Sequence, residues 1–355
     1  MAESVPDSGG YVRDLLPADA ASLRLILSGE SIIDWPWLEF ASMQEIDDFV
    51  RVHGFDLGLP QDVQHVQYLH QEAVSYLSDI LEYRIPDEIK HVPDVRKLLF
   101  WASHKKGARK YRTYACIVLK VMHIIHHLLA RELLYHAALS EAHLSDLLTQ
   151  KVFAFVDMMR SQGIQVVEYA GGRKTRHSLV TKLLAKRETI ASQIFDKTRF
   201  RIVLKKQDDL LAALVLMTHQ LFPFNYAIPS QSENALIDLD LIAETPAIPA
   251  RVKSILLGQK HLGAPQLKNE FSGKSYKSIN FVVDVPIRID QYLKGFQPPL
   301  EPTLGHIVFI LAEFQLLDQD TAERNESGDN SHVRYKSRQE ERVRTRLEAS
   351  FDLDE

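Results

Sequence analysis

The hydrophobic periodicity changes near residue 163, and this change constrains the fold more than any other feature of the chain. Between Pro17 and about Gln162 apolar residues recur at three- and four-residue spacing, as over 119–133, which is the pattern of amphipathic helices. Beyond Gly163 short runs rich in Ile, Val and Phe alternate with helical segments, and such runs are typical of strands. The sequence therefore predicts an α+β chain, with an all-helical N-terminal half and strands and helices in the C-terminal half.

Local signals place individual elements along the chain. In the N-terminal half, Ser145-Asp146 predicts the start of a helix that runs to Met159. The C-terminal half is predicted to contain strands over 164–169 and 200–204, helices over 178–194 and 210–221, and two further β-like runs over 278–285 and 306–317. Gly171-Gly172 are predicted to form a turn after the first strand.

Shifts in composition divide the chain into four predicted parts. They are a flexible tail over 1–12, a helical domain of unknown role over 13–163, an α+β domain over 164–337 and a charged C-terminal tail over 338–355. Two segments of the third part, near 223–272 and 286–305, are rich in loop residues or prolines. We interpret them as insertions, because proline and turn residues interrupt regular elements.

The composition excludes several classes of protein. The 355 residues, 45% hydrophobic and 25% charged, are typical of a soluble globular protein of two domains. A formal net charge of −5 means that any nucleic-acid-binding surface must be local. The single cysteine, Cys116, excludes a disulfide framework and predicts a cytoplasmic location. Residues 1–10 lack a secretory pattern, and charged residues interrupt the apolar stretch 117–134, which predicts a buried helix and no membrane span.

A basic helix start follows the predicted glycine turn. Lys174, Ser178 and Lys182 are spaced i, i+4, i+8, so a helix would carry them on one face. Cations and a hydroxyl beside a glycine-rich helix start suit a triphosphate. The alternative is a solvated surface helix, which a basic stripe alone more often indicates.

An acidic residue precedes the second predicted strand. Asp196 stands before the β run that contains Arg201, and a carboxylate at the end of a sheet can hold Mg²⁺ together with phosphate oxygens. Strand alternation places Asp196 and Arg201 on opposite faces, so a local bend would be needed to bring both into one site. The alternative is a strand-start Asp that pairs with a neighbouring cation.

A second carboxylate lies within the last apolar run. Glu313 follows the residues 307–312, where a carboxylate is rarely buried unless it is paired or metal-bound. Alternation places Gln315 on the same face as Glu313. Glu313 is therefore a candidate second metal ligand, or the base that accepts a proton from an attacking hydroxyl. A strand that simply leaves the core at Glu313 explains the pattern equally well.

Two features of the N-terminal half carry weaker signals. His123 and His127 share a helix face and could bind zinc in principle, but no third ligand is evident, so satisfied helix histidines are the better interpretation. The basic stretch 104–112, which contains Tyr111, could contact RNA phosphate or a nucleotide. An exposed loop between helices explains it equally well.

The segments of the C-terminal half, in this order, resemble the synthetase domain of the RelA/SpoT family, whose members make guanosine tetra- and pentaphosphate alarmones. The resemblance covers roughly residues 165–337 and implies a nucleotidyltransferase-like fold, a mixed sheet flanked by helices. Five elements carry it: the basic helix start 172–182, Phe195-Asp196 with Arg201-Ile202-Val203, Ser275-Tyr276-Lys277-Ser278-Ile279-Asn280, Glu313-Phe314-Gln315-Leu316-Leu317-Asp318, and His332-Val333-Arg334-Tyr335-Lys336.

The resemblance also implies roles for individual residues. Asp196 and Glu313 would be the catalytic carboxylates and would bind Mg²⁺, the implied cofactor. The ATP phosphates would be bound by Arg173, which is one place out from the family's usual arginine, and by Lys174, Ser178, Lys182 and Arg201. The acceptor nucleotide would be contacted by Tyr276, whose ring would stack on the base, and by Lys277, Asn280, Gln315 and His332.

Three departures from the family pattern concern the acceptor. Ser275 replaces a glycine, Asn280 replaces a histidine and Leu317 replaces an arginine. The donor half of the site therefore matches the family and the acceptor half is altered. Relatives of this family that act as toxins use adenine nucleotides or the 3′ end of tRNA, so the acceptor stays open between these and a guanine nucleotide.

The resemblance implies an ATP-dependent pyrophosphokinase that transfers the β,γ-pyrophosphate of ATP to the 3′-hydroxyl of an acceptor nucleotide. The implied partners are ATP and that acceptor, with no membrane, while tRNA binding and oligomer formation stay open. The alternative function is a non-catalytic nucleotide- or RNA-binding module that keeps the synthetase fold, which Asn280 and Leu317 favour.

Overall fold

The computed structural model of the chain describes most of its length. The described residues are 15–28, 40, 42–103, 109–137, 139–185, 198–246, 248–257, 276–293, 301–327 and 332–348. Among the sequence predictions, Asp196 and the part of the predicted helix 178–194 beyond Ala185 lie outside these residues.

Helices alone make up the described N-terminal half. They are α1 (Pro17–Ser28), α2 (Met43–Val52), α3 (Pro60–Ser75, continued by a π-helical turn over Tyr76–Ile80), α4 (Asp87–Lys90), α5 (Arg96–Ser103), α6 (Arg109–His136) and α7 (Glu141–Ser161). Helix α7 begins four residues before the predicted start at Ser145. The reason is that Ser140, in extended conformation, caps it by accepting a hydrogen bond from the backbone N–H of His143.

Strands and helices alternate in the C-terminal half. The elements are β1 (Val166–Arg173), α8 (Arg176–Ala185), β2 (Thr198–Leu204), α9 (Asp209–Gln220), β3 (Glu233–Asn234), α10 (Leu239–Glu244), α11 (Ala250–Leu256), β4 (Ile279–Arg288), α12 (Asp290–Leu293), β5 (Ile307–Asp318), α13 (Gln319–Asn325) and α14 (His332–Glu348). The predicted α+β class is confirmed.

The five strands form one mixed sheet in the order β1-β2-β5-β4-β3. Strands β2 and β5 are parallel, whereas the other neighbouring pairs are antiparallel. The register places Arg199 beside Glu313 between β2 and β5, and Asn280 beside Gln315 between β4 and β5. The β2–β5 pair at the centre of the sheet thus brings together residues more than one hundred positions apart in sequence.

The two faces of the sheet differ because side chains alternate along each strand. One face, the core face, carries Phe200, Phe281 and Phe314, all fully buried, and their rings lie 5.4–5.6 Å apart. The opposite face, called the polar face below, carries Arg199 and Arg201 of β2, Asn280 of β4, and Glu313 and Gln315 of β5.

The hydrophobic core continues across the predicted domain boundary near residue 163. Helices α1, α7 and α9 contribute Leu23, Val156 and Leu214 to the same core cluster as Phe200 and Phe314. The middle helices, α2 to α6, form a second cluster that reaches the sheet through Ile307. The boundary at 163 stays a prediction, but the helices on either side of it share apolar contacts with the sheet.

Two local predictions are wrong. Gly171-Gly172 continue strand β1 and do not form a turn. A side chain at Gly171 would overlap the ring of Phe200 on the neighbouring strand, so glycine is what allows the two strands to pair here. In addition, β4 runs through Pro286 to Arg288, where an insertion was predicted to begin. The Pro286 carbonyl accepts a hydrogen bond from Lys151 Nζ at 2.8 Å.

Helix α6 contains the longest apolar stretch. By length and composition it is the one helix among the described residues that could cross a membrane, a test that core helices of soluble proteins also pass. It packs against α3 and α5 and buries one stripe of side chains, Ala115, Val118, Leu119, Met122, His126, Ala130 and Leu133. The structure thus places Ala115, Val118, Leu119 and Met122 of this helix in the second core cluster and Leu133 in the first, and the cytoplasmic location stays a prediction.

Candidate functional site

Glu313 is the centre of the charged group on the polar face. Its Oε2 atom lies 3.8 Å from Lys174 Nζ and 3.7 Å from Arg199 Nε, and 19% of its side chain is exposed. Lys174 follows the last residue of β1, and Arg199 is the register partner of Glu313 on β2. One member of this group therefore follows the edge strand β1, one lies on the neighbouring strand β2 and one lies on the central strand β5.

The same carboxylate oxygen is not fully satisfied. Glu313 Oε2 is inaccessible to solvent and accepts no hydrogen bond from the described residues. Leaving a buried acceptor without a hydrogen bond costs roughly 1–3 kcal/mol, and the two flanking cations offset this cost by Coulomb attraction. The oxygen is thus available to a metal ion or to a hydroxyl that enters the site.

The described residues fit a magnesium ion only together with phosphate oxygens. Mg²⁺ is usually bound by one or two carboxylates, substrate phosphates and water. Glu313 supplies one such carboxylate, while the described residues contain no group of three or more acidic, His or Cys side chains arranged around a metal. Beside Arg199, Gly172 leaves a gap among the described residues, since none of their atoms would lie within 4 Å of a side chain there. This gap is where phosphate oxygens could lie.

The predicted ATP-binding residues do not all lie together. Lys174 reaches Glu313, but Arg173 pairs with Glu141 of α7, with 2.7 Å between Nη2 and Oε2. Ser178 is exposed on α8, and its backbone N–H donates to Thr175 Oγ1. The side chain of Lys182 is partly exposed on the same helix. The ATP-binding roles of Arg173, Ser178 and Lys182 stay predictions.

Arg201 lies on the polar face between two carboxylates. Its Nη1 donates to Glu326 Oε1 at 3.2 Å, and its Nε lies 3.6 Å from Glu168 Oε1. Both glutamates are more than half exposed, so these pairs are weak and screened. Arg201 is therefore near the charged group around Glu313, and a phosphate would have to compete for it with two surface carboxylates.

The predicted acceptor residues form a hydrogen-bonded group around Gln315, which lies two residues beyond Glu313 on β5. Gln315, buried on the polar face, donates from Nε2 to the Tyr276 hydroxyl at 2.7 Å. Its neighbour Asn280 donates from Nδ2 to Ser278 Oγ at 2.8 Å, while Asn280 Oδ1 has no partner among the described residues. Tyr276, Gln315 and Asn280 are thus brought together. His332 begins α14, and its contact with the acceptor stays a prediction.

Three residues beside this site were not predicted from the sequence. Arg199 had a usable signal, because it alternates with Arg201 along β2. Glu326 and Asn325 had none, since they follow β5 in a short helix whose contacts are with segments far away in sequence. Asn325 binds both backbone polar groups of Lys277, from which it is separated by 48 positions.

A second polar group, the histidine cluster, is covered by the N-terminal helices. It consists of His53, His65, His123, His126 and His127 with Tyr226. Burial lowers the pKa of His53 and of His65 to about 4 and that of His123 to about 3. Burial also lowers the pKa of His126 and His127. The ring nitrogens of His65 and the Nε2 of His126 have no hydrogen-bond partner among the described residues.

The histidine cluster touches the polar face at Asp284. His127 Nε2 lies 3.7 Å from Asp284 Oδ2, and the His127 ring stacks on Phe309 of β5. Burial raises the pKa of Asp284 to about 6. The polar face is thus divided: α6 covers the end that carries Phe309, and the end that carries Glu313, called the open end below, lies outside this contact, with 19% of the Glu313 side chain exposed.

Comparisons with known proteins give structural matches only. No family model and no curated protein matches the chain. Among solved structures, the chain is similar to small alarmone synthetase 1 from Bacillus subtilis bound to its product pppGpp, with 13% identity, a TM-score of 0.31 and coverage of 62% of this chain and 93% of that chain. It is also similar to small alarmone synthetase 2 from Bacillus subtilis, with 12% identity, a TM-score of 0.29 and coverage of 57% and 84%.

These structures are alarmone synthetases. At 11–13% identity and TM-scores of 0.29–0.31, these matches carry no argument about the fold or the reaction of this chain.

Proposed function

We propose that the chain is a Mg²⁺-dependent pyrophosphokinase of the alarmone-synthetase type. It would transfer the β,γ-pyrophosphate of ATP to a ribose 3′-hydroxyl of an acceptor nucleotide. One observation carries the proposal: Glu313 lies between Lys174 and Arg199 on the open end of the polar face, and the Gln315–Tyr276 pair stands two residues further along the same strand.

The cations would hold the donor. Transfer of phosphoryl groups depends mainly on positioning and on neutralising the charge that spreads over the phosphate oxygens. Lys174, Arg199 and Arg201 supply three positive charges on one side of the sheet, next to the gap at Gly172. Magnesium, when bound, would neutralise further phosphate charge, with Glu313 and the predicted Asp196 as its protein ligands.

Glu313 would also be placed to accept a proton. The acceptor O3′ forms a bond to the β-phosphorus of ATP, the bond from that phosphorus to the α,β-bridging oxygen breaks, and AMP leaves with the electron pair. The proton of the 3′-hydroxyl passes to Glu313, whose Oε2 has no hydrogen-bond partner among the described residues.

The acceptor base would stack on Tyr276. Gln315 holds the hydroxyl of this ring at 2.7 Å, so the ring would offer a fixed face to a purine. Asn280 and Leu317 differ from the family pattern, and for this reason the proposal extends to three acceptors: a guanine nucleotide, an adenine nucleotide or the 3′ end of tRNA.

The proposal is tested with ATP labelled at the γ-phosphate. The full chain is incubated with Mg²⁺ and separately with GDP, GTP, AMP, ADP and bulk tRNA, and labelled products are separated. Glu313→Gln should abolish the product, and Glu323→Gln, an exposed glutamate on α13, is the matched control. If Glu313→Gln and the wild type form equal amounts of product, the assignment of Glu313 is wrong.

A second candidate function is a binding module without catalysis. The pairing of Arg201 with Glu326 and Glu168 favours it, since these carboxylates compete with phosphates. The same experiment separates the two functions. ATP binding in calorimetry without labelled product for any of the five acceptors would support the module and contradict the kinase.

A further inference from the structure

We propose that Asn325, the last residue of α13, is a positioning residue that fixes the acceptor-binding segment 276–278 relative to Glu313. The inference rests on the proposed function for the identity of the acceptor site, and it assigns to Asn325 no contact with substrate. It concerns a residue outside the five motifs that carry the family resemblance.

Asn325 binds the segment through both of its amide atoms. The backbone N–H of Lys277 donates to Asn325 Oδ1 at 3.2 Å, and Asn325 Nδ2 donates to the backbone carbonyl of Lys277 at 2.7 Å. The side-chain amide thus pairs with both backbone polar groups of one residue, as a residue on a neighbouring strand would, at the point just before β4 begins at Ile279. Because these two groups belong to the peptide bonds on either side of Lys277, the two hydrogen bonds fix the orientation of the backbone there as well as its distance.

Burial makes this link costly to lose. Asn325 is 3% exposed, so water could replace the lost partners only after the segment moves. A buried amide or peptide group without its partner is strongly unfavourable. We therefore expect the segment 276–278 to be displaced when Asn325 is shortened, and not merely to exchange one partner for another.

Helix α13, which carries Asn325, is fixed to strand β5. Helix α13 begins directly after this strand, and its N-cap Asp318 accepts a hydrogen bond from the Thr321 N–H at 2.9 Å. Asp318 and Thr321 are both buried. Asn325 therefore stands at a fixed place relative to Glu313 and Gln315, which lie on the same strand.

Two links then hold Tyr276 over the site. Gln315 binds its hydroxyl, and Asn325 binds the backbone of the next residue. The first link alone would leave the ring free to pivot about its hydroxyl. The second fixes the other end of the side chain, so the pair sets the distance between the stacked base and the Glu313 carboxylate.

The position of the segment can be tested without any ligand. Amide hydrogen exchange of the full chain is measured by mass spectrometry for wild type, Asn325→Ala and Arg324→Ala, the last being an exposed neighbour on the same helix. Asn325→Ala should accelerate exchange at Lys277 at least tenfold, whereas Arg324→Ala should leave it within twofold. Equal exchange in Asn325→Ala and wild type would overturn the inference.

The kinetic test separates the acceptor from the donor. With labelled ATP and the acceptor among GDP, AMP, ADP and tRNA that gives product, Asn325→Ala should raise the acceptor KM about tenfold and leave the ATP KM within twofold. An unchanged acceptor KM would overturn the inference. If the wild type gives no product, the proposed function fails, but the exchange experiment still decides whether Asn325 positions Tyr276.

The variant Asn325→Asp adds a pH readout. An ionised carboxylate cannot donate to the Lys277 carbonyl, but a protonated one can. Burial at this position would raise the pKa of the introduced carboxyl above its ordinary value of about 3.9, so the ratio of Asn325→Asp to wild-type kcat/KM for the acceptor should rise as the pH falls from 8 to 5. A ratio that stays flat, with Asn325→Asp as active as wild type throughout, would contradict the positioning role.

Discussion

Two carboxylates on the same face of the sheet, Asp284 and Glu313, differ because different elements cover them. They belong to neighbouring strands, and their registers differ by two residues. Asp284 lies beneath α6, 3.7 Å from the weakly basic His127, and burial raises its pKa to about 6. Glu313 lies at the open end between Lys174 and Arg199. The strands supply both carboxylates, and the partners supplied by other elements decide the surroundings of each one.

The largest difference between the two carboxylates should appear in activity. Glu313→Gln should reduce transfer by about 10²–10³-fold, the range expected when a general base or a charge-stabilising group is removed. Asp284→Asn should change transfer by less than threefold, because α6 separates it from the open end. Steady-state kinetics of both variants, with circular dichroism to verify the fold, measure this. A larger loss in Asp284→Asn than in Glu313→Gln would reverse the comparison.

A magnesium titration of the Glu313→Gln variant distinguishes the two proposed roles of Glu313, which are metal ligand and proton acceptor. If Glu313 mainly ligates the metal, raising the Mg²⁺ concentration should restore part of the activity, because weaker binding is overcome by mass action. If it mainly accepts the proton, the activity should stay low at every Mg²⁺ concentration. The unpartnered Oε2 atom suits both roles, and an activity that is partly restored but stays below the wild-type value at saturating Mg²⁺ is expected if Glu313 has both.

Removing one cation should have a smaller effect. Lys174→Met keeps the length of the side chain but deletes the charge at 3.8 Å from Glu313. We expect kcat/KM for ATP to fall about tenfold to a hundredfold, since Arg199 and Arg201 remain. Lys205→Met, which loses a hydrogen bond to Gln319 on the surface, is the control. Equal kcat/KM values for the two variants would remove Lys174 from the donor site.

The histidine cluster should make the covered end sensitive to acid. The folded-state pKa values of His53, His65 and His123 are about 4, 4 and 3, below the value of about 6.5 in an unfolded chain. The unfolded state therefore binds more protons below pH 6.5, and stability is lost as the pH falls. We expect the free energy of unfolding to drop by about 2 kcal/mol for each of these three histidines between pH 7 and pH 5. Urea unfolding at both pH values measures this drop, and a constant value would contradict the burial of neutral histidines.

The smallest effect concerns Asp284 itself. Because its folded pKa of about 6 exceeds the unfolded value of about 3.9, its ionisation costs stability above pH 6, and this cost vanishes as the pH falls. Asp284→Asn should therefore raise the free energy of unfolding by about 1 kcal/mol at pH 8 and have less effect at pH 5. A variant that is less stable than wild type at pH 8 would show that the carboxylate is favourably paired.

Sequence alone predicted those parts of the fold and site that depend on local patterns. Periodicity predicted the helical half, the strands β2 and β5 and the common face of Glu313 and Gln315. These inferences succeeded because helix periodicity and strand alternation are set within a few residues. The predicted helix face with Lys174, Ser178 and Lys182 is only partly correct, because α8 begins at Arg176 and Lys174 lies before it.

The rest depends on contacts between distant segments. Nothing local indicates that Arg199 and Glu313 share a register, that Asn325 binds the backbone of Lys277, or that α1 packs on the same core as Phe200. The error at Gly171 has the same origin. Glycine usually marks a turn, but here it accommodates the Phe200 ring from the neighbouring strand, and that ring becomes a neighbour only once the sheet has formed.

The most direct test of the central claim is a crystal structure of the full chain with Mg²⁺ and α,β-methylene-ATP, in which the bond that must break is replaced. We predict that the triphosphate lies between Lys174 and Arg199, within about 4 Å of both, with the β-phosphorus facing Glu313 and the gap at Gly172 filled. A triphosphate bound elsewhere, with Glu313 still closed between Lys174 and Arg199, would contradict the account.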